Sequence, residues 1–283
     1  MAPPRTGGSS GRAFAVLAGL AAVFAVAFVV APATLAASGP GGGFLGKRDL
    51  TEALRAAFVE YWRSGDREFS PGLARVVDYW FRYHIAKGVI AAILLVVLVT
   101  LGMLLWKAIL RAGGLRAGSR AVLALAGVLV TTLALFSLVT VMANVQGAVA
   151  PFASLLPMLA EGAADGAVAD TQEQVRQRLA DSLDAGAQVP PPLQVMVSDF
   201  SRYHVALAVV AAIVAVVLVG MSVLLWRRFA RTASSDRRTR HVVGSFGVAS
   251  MLLALLVIVV LVANATTATD PAPALLAFFD GQW

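Results

Sequence analysis

The residues best suited to chemistry in this chain occur twice. Arg82-Tyr83-His84 returns as Arg202-Tyr203-His204, and Asn144 returns as Asn264 at the same offset of 120 positions. A guanidinium presents a planar fork of donors, a neutral imidazole one donor and one acceptor, and a carboxamide both. Two such heads facing each other around a pseudo-twofold axis would suit an anionic ligand. They would suit a metal poorly, because two histidines without a carboxylate or thiolate cluster do not complete a site.

A structural reading stands beside the ligand-binding one. Tyrosine anchors a helix at the headgroup level, and arginine lays its stem along apolar surface with its charge in water. Asp78 lies four residues before Arg82 and Asp199 three before Arg202, both ion-pairing distances on a helix. Asn144 and Asn264 could bond a neighbouring helix, at around 0.6 kcal/mol in measured cases, or cap their own helices. The candidate ligand-binding set is therefore Arg82, Tyr83, His84, Arg202, Tyr203, His204, Asn144 and Asn264. No catalytic, metal or cofactor site is expected.

Other signatures fail on mechanism. Gly41 to Gly46-Lys47 matches the start of a phosphate loop, but Arg48 follows and no strand precedes it, so backbone N–H groups would not converge on phosphate. There is no HExxH zinc helix and no GxSxG elbow. The chain has no cysteine, which excludes disulfides and thiolate chemistry.

The elements that must position these residues are apolar helices. Of 283 residues, 59% are hydrophobic and 14% charged, against about 25% charged in soluble proteins. Five runs are long enough to span a bilayer, which takes about 20 residues: 13–36, 84–106, 121–145, 204–226 and 242–264. Residues 13–36 also read as a secretory signal with Ala36-Ala37-Ser38 as cleavage site, but the run exceeds the usual signal length, and a retained helix is the expectation.

Four of the runs fall in two repeated pairs. Residues 82–111 and 202–231 share 16 of 30 positions, and residues 120–144 and 240–264 share 10 of 25. Apolar runs inflate such identity, so the other matches carry more weight: Trp106 and Trp226, Arg120 and Arg240, Gly127 and Gly247, Pro151 and Pro271.

Between the spans, Asp49-x-x-Glu52 and Asp170-x-x-Glu173 read as capping boxes opening helices. The first helix carries Leu50, Leu54, Phe58 and Trp62 on one face and ends at Ser64-Gly65; the second runs to about Asp184 and stops at Ala185-Gly186. Ser70-Pro71 and the run Pro190–Pro192 open helices that continue into spans. Pro151–Ala160 is apolar but too short to span and reads as interfacial. Tyr61, Trp62, Tyr79, Trp80, Phe81 and Tyr83 form an aromatic group expected on the membrane surface or between outer helices.

The fold class is thus an all-α integral membrane protein: five transmembrane helices from a tandem, parallel-oriented duplication, with helical extracytoplasmic segments. Its parts are an N-terminal cytoplasmic tail and first span (1–37), an extracytoplasmic segment (38–83), spans two and three with a basic loop (84–146), a second extracytoplasmic segment (147–203), spans four and five with a basic loop (204–266), and an extracytoplasmic tail (267–283). The two extracytoplasmic segments are expected to pack as one small cap.

Lysine and arginine in short loops mark the cytoplasmic side. Arg5, Arg12 and the loops 107–120 and 227–240 hold 12 basic residues and one acid; the remainder holds 11 basic and 15 acidic. The amino terminus is therefore expected inside and the carboxyl terminus outside, in a bacterial plasma membrane. Arg227, Arg228, Arg231, Arg237 and Arg238 would meet anionic headgroups at about 1 kcal/mol each. The net charge of +7 reflects this asymmetry and does not suggest nucleic-acid binding. No ionisable residue falls in the middle of a span, which disfavours proton-coupled transport. Three functions remain open: a non-catalytic scaffold or accessory protein whose outer segments bind an envelope protein, an oligomeric channel or facilitator for a neutral or lipid-like solute, and an outer-leaflet enzyme or ligand-binding protein using the Arg-Tyr-His heads. The first is preferred, with self-association left open.

Overall fold

Proline placement and apolar periodicity divide the chain into helices. The computed structural model describes residues 7–39, 41–111, 116–160, 166–184 and 188–282. Arg5, the Ala185-Gly186 stop and Trp283 lie outside the described residues. Those described form α1 (Gly7–Ala37), α2 (Lys47–Ser64), α3 (Pro71–Arg111), α4 (Ala117–Val149), α5 (Pro151–Ala160), α6 (Ala167–Asp184), α7 (Pro191–Arg231), α8 (Arg237–Thr269) and α9 (Pro271–Phe279). No strand occurs among them. Five helices, α1, α3, α4, α7 and α8, are long and apolar enough to cross a membrane. The helices opened by Pro71 and Pro191 each run 41 residues without a break, and α4 and α8 each run 33.

Helix starts follow local hydrogen bonding. Ser70 Oγ accepts from the Leu73 N–H at 3.4 Å, the expected cap before Pro71. Neither capping box forms as the sequence suggests. The second helix begins at Lys47, so Asp49 sits inside its first turn and accepts from the Leu45 N–H at 2.8 Å. Asp170 is likewise inside α6, with its N–H donating to the Gly166 carbonyl. Acids in the first turn still complement the helix dipole, which is why the pattern marks the helix but not its first residue. Gly65 ends α2 in the left-handed conformation, φ 71°.

The chain divides into two compact units. One comprises residues 1–32, 86–142 and 217–254. Within it Leu98, Leu101 and Leu105 make one face of α3, packed on Val130 of α4 and on Phe14, Leu17 and Ala21 of α1. Much of its remaining apolar surface is open, including Val16, Val23, Val96, Leu125 and Leu252. A contiguous apolar exterior of this kind is costly in water and suits hydrocarbon.

The other unit comprises residues 33–85, 143–216 and 255–283 and has a core of its own. Leu54, Phe58 and Tyr61 of α2, Leu73 and Val76 of α3, Leu155 and Leu159 of α5, Leu179 of α6, Leu193 and Met196 of α7 and Leu275 of α9 meet there, almost without exposure. Tyr61, Phe69 and Phe152 pack edge to face, with ring centroids 5.1 to 6.1 Å apart. The fifth helix departs from expectation. Phe152, Ala153, Leu155, Leu156, Met158 and Leu159 are buried in this core, so its apolar character serves protein packing and not an interface with lipid. Most of the aromatic group shares that fate: Tyr61 and Tyr79 are buried, and Phe81 alone among its six members is in the exposed class. Arg176 ties α6 to α9 through Asp280 at 3.6 Å and pairs with Glu173, whose carboxyl it holds down at about 2.

Two outcomes test this core. Leu155→Ala should cost about 2–5 kcal/mol by removing buried methyl groups from a fully packed site, measured by denaturant unfolding in mild detergent. Burial pushes the Tyr61 hydroxyl up to about 12. Its stabilising contribution is complete below its unfolded value near 10 and is lost as pH rises from there through about 12. Tyr61→Phe should therefore move the alkaline unfolding midpoint upward, followed by helicity against pH.

Candidate functional site

At both Arg-Tyr-His stretches the histidine sits one helical turn beyond an aromatic residue, Trp80 before His84 and Phe200 before His204. The rings meet edge to face, with centroids 4.8 and 4.6 Å apart. This i, i+4 spacing places each aromatic ring against an imidazole on the same helix face, and neither Trp80 nor Phe200 was tied to a histidine by its residue type alone.

Each imidazole then reaches across to a neighbouring helix. His84 Nδ1 lies 3.0 Å from Asn144 Oδ1, and His204 Nδ1 lies 2.8 Å from Asn264 Oδ1. The Asn264 amide nitrogen donates to the Val260 carbonyl at 2.8 Å. Its oxygen therefore faces the ring and accepts, so His204 Nδ1 carries a hydrogen. The bonds join α3 to α4 and α7 to α8 at matching positions. They bring His84 together with Asn144, and His204 with Asn264.

Gly147 closes the first site. A β-carbon there would stand 2.6 Å from the His84 ring. At the same distance beyond His204 stands Thr267, whose hydroxyl donates to its own helix at Ala263. Trp80 Nε1 donates to Ser154 Oγ at 2.9 Å and its ring stacks on Tyr83, with centroids 5.0 Å apart and planes 4° from parallel. Thus α5 is joined to the first site through Ser154. Tyr203 packs edge to face on His204.

The two arginines differ. Arg82 donates through Nε to the Ala36 carbonyl at 3.0 Å and pairs with Asp78, and its guanidinium lies against Gly39. Arg202 is 67% exposed and only 3.9 Å from Asp199. Asp199 turns elsewhere: its carboxylate accepts the Ala153 N–H at 2.8 Å in the first turn of α5, where a negative group complements the helix dipole. Arg202 and Asp199 also line a cavity of about 580 Å³ with Arg67 and Glu68.

The other polar groups of the long helices are similarly engaged. Ser137 Oγ donates to the Ala91 carbonyl at 2.8 Å, and Ser222 Oγ to the Gly247 carbonyl at 3.2 Å. Trp106 stands near the far end of α3. Its Nε1 donates to Thr131 at 3.1 Å, and its ring packs on Phe246 with centroids 4.8 Å apart. Gly127 and Gly247 lie against the Trp106 and Trp226 rings, where a β-carbon would stand 3.2 and 3.3 Å away. Lys87, one turn beyond His84, sits over the Phe28 ring at 4.8 Å, a cation–π contact not anticipated from its sequence position.

Among the described residues no group of three or more His, Asp or Glu could hold a metal ion. The geometry joins helices: each imidazole bonds an asparagine of the neighbouring long helix. No known family model, curated protein or solved structure matches the chain.

Double-mutant cycles on His84→Ala with Asn144→Ala, and on His204→Ala with Asn264→Ala, should return coupling of about 0.6 kcal/mol, up to about 1.7, read from unfolding in detergent. Gly147→Ala should cost about 1–3 kcal/mol by overpacking the His84 ring, while Thr267→Ala should leave stability nearly unchanged.

Proposed function

We propose that this chain is a non-catalytic, multi-pass scaffold or accessory protein of a bacterial plasma membrane, whose extracytoplasmic helical segments bind an envelope protein. The observation that carries the reading is where the candidate site residues spend their bonds. His84, His204, Asn144, Asn264, Arg82 and Asp199 are engaged in holding helices of the same chain. Among the surfaces open to a partner is a polar groove of about 850 Å³, lined by Trp62, Gln177, Arg178, Asp181, Gln188 and Pro190 among others. An aromatic side chain bordered by amides and one charge of each sign is the composition of a protein contact surface with a specific polar rim. It lies among the segments with the acidic balance, which the charge asymmetry of the loops assigns to the outer side. In this reading the repeated residues record a tandem duplication of a two-span unit, both copies inserted with the same orientation.

The facilitator reading receives less support. Ser137 is buried and bonded to α3, and Thr131 and Thr140 donate to carbonyls of their own helix. A polar solute path through these helices would need such hydroxyls unspent along its wall.

Because the chain has no native cysteine, single introduced cysteines report orientation cleanly. Gln282→Cys should react with an impermeant maleimide on intact cells, and Ser235→Cys only after permeabilisation; the reverse pattern refutes the orientation. Purification from native membranes in mild detergent should retain a protein in fixed ratio. That protein should be lost on Arg178→Glu with Gln177→Ala but kept on Arg48→Ala. A preparation that retains a solute and no protein refutes the scaffold.

A further inference from the structure

The start of α8 places charge where a helix does not favour it. Arg237, Arg238, Arg240 and His241 crowd its first turns, although the amino end of a helix carries partial positive charge and favours anions. Asp236 answers part of this by accepting the Thr239 N–H at 3.1 Å. Three of the basic groups, Arg237, Arg240 and His241, open onto one groove of about 650 Å³ between the end of α7 and the start of α8.

The groove changes character along its length. Its α8 wall runs through Arg237, Arg240 and His241 to Gly244 and Ser245, and then to Val248, Ala249 and Leu252. These positions recur at three- and four-residue spacing, so they follow one face of the helix. The opposite wall carries Trp226 and Phe229. Glycine at 244 lets the Phe229 ring approach closely; a β-carbon there would meet it at 3.3 Å. Arg240 is already set in place, its guanidinium 4.2 Å over the Phe229 ring and donating to the Thr232 carbonyl at 3.0 Å. Val248 and Leu252 are exposed.

We propose that this groove is a binding site for one anionic phospholipid, the phosphate among Arg237, Arg240 and His241 at the amino end of α8 and an acyl chain along Val248, Ala249 and Leu252. The charge, the helix end and the apolar floor each match one part of such a molecule. A soluble phosphate would use the first two and leave the floor bare. The site rests on α7 and α8 spanning the membrane, because the groove begins where their apolar runs end.

The test uses the full chain in detergent, with bound lipid counted by native mass spectrometry during titration with phosphatidylglycerol, phosphatidylcholine or glycerol phosphate. The wild type should hold one phosphatidylglycerol in preference to phosphatidylcholine, and glycerol phosphate should not compete. Arg237→Gln with Arg240→Gln should weaken this roughly tenfold or more. Arg48→Gln with Arg63→Gln, equal in charge but on α2 and outside the groove, should change it less than about threefold. Ala249→Trp, which keeps every charge and fills the floor, should abolish the preference and decides the matter if the Arg240 variant fails to fold. Equal losses in both arginine pairs, or full competition by glycerol phosphate, overturn the proposal. Absence of any lipid preference in a chain that still requires detergent also overturns it and leaves the membrane reading intact. A chain that stays dispersed without detergent overturns the membrane reading itself.

Discussion

Hydrocarbon supplies no hydrogen-bond partner, so every polar group carried into it must find one within the protein. The long helices answer this in a consistent way. Backbone groups are satisfied along each helix, and the few polar side chains are placed where a neighbouring helix can complete them. Ser137 reaches Ala91, Ser222 reaches Gly247, and Trp106 reaches Thr131. His84 and His204 meet Asn144 and Asn264 by the same logic. Such bonds contribute modestly to stability, but each admits one rotation of a helix about its axis, which undirected apolar contacts do not.

The core formed by α2, α5, α6 and α9 with the first turns of α3 and α7 obeys a different rule. Its stability comes from burying large side chains almost completely, among them Tyr61, Phe58, Phe152 and Leu155. Edge-to-face packing of Tyr61, Phe69 and Phe152 adds specificity. Asp199 shows how the two regimes combine in one residue. It lies within a long apolar helix yet is spent on the amino end of α5, and its neighbour Arg202 is left facing solvent.

The sites that repeat in sequence are alike at their centre and different around it. The His–Asn bond is common to both, as is an aromatic ring one turn before the histidine. Gly147 packs against His84 where Thr267 stands at the matching position, and Arg82 binds the end of α1 while Arg202 lies 3.9 Å from Asp199. A shared polar centre within unlike surroundings is consistent with a structural role for the pair, while the surfaces around it are free to diverge.

Much of this architecture is legible from sequence alone, because its causes are local. Long apolar runs, proline at a helix start and a 3.6-residue stripe depend only on neighbouring residues, and they place α1, α3, α4, α7 and α8, the starts at Pro71 and Pro191, and the extent of Pro151–Ala160. The pairing of particular side chains is not local. Which partner Asn144 takes, that Trp80 bonds Ser154, and that an apolar ten-residue helix is buried instead of lying on lipid all depend on which helices become neighbours. Composition cannot separate a residue made apolar for lipid from one made apolar for a protein core, since both environments exclude water equally; only the packing of α5 among α2, α6 and α7 decides it.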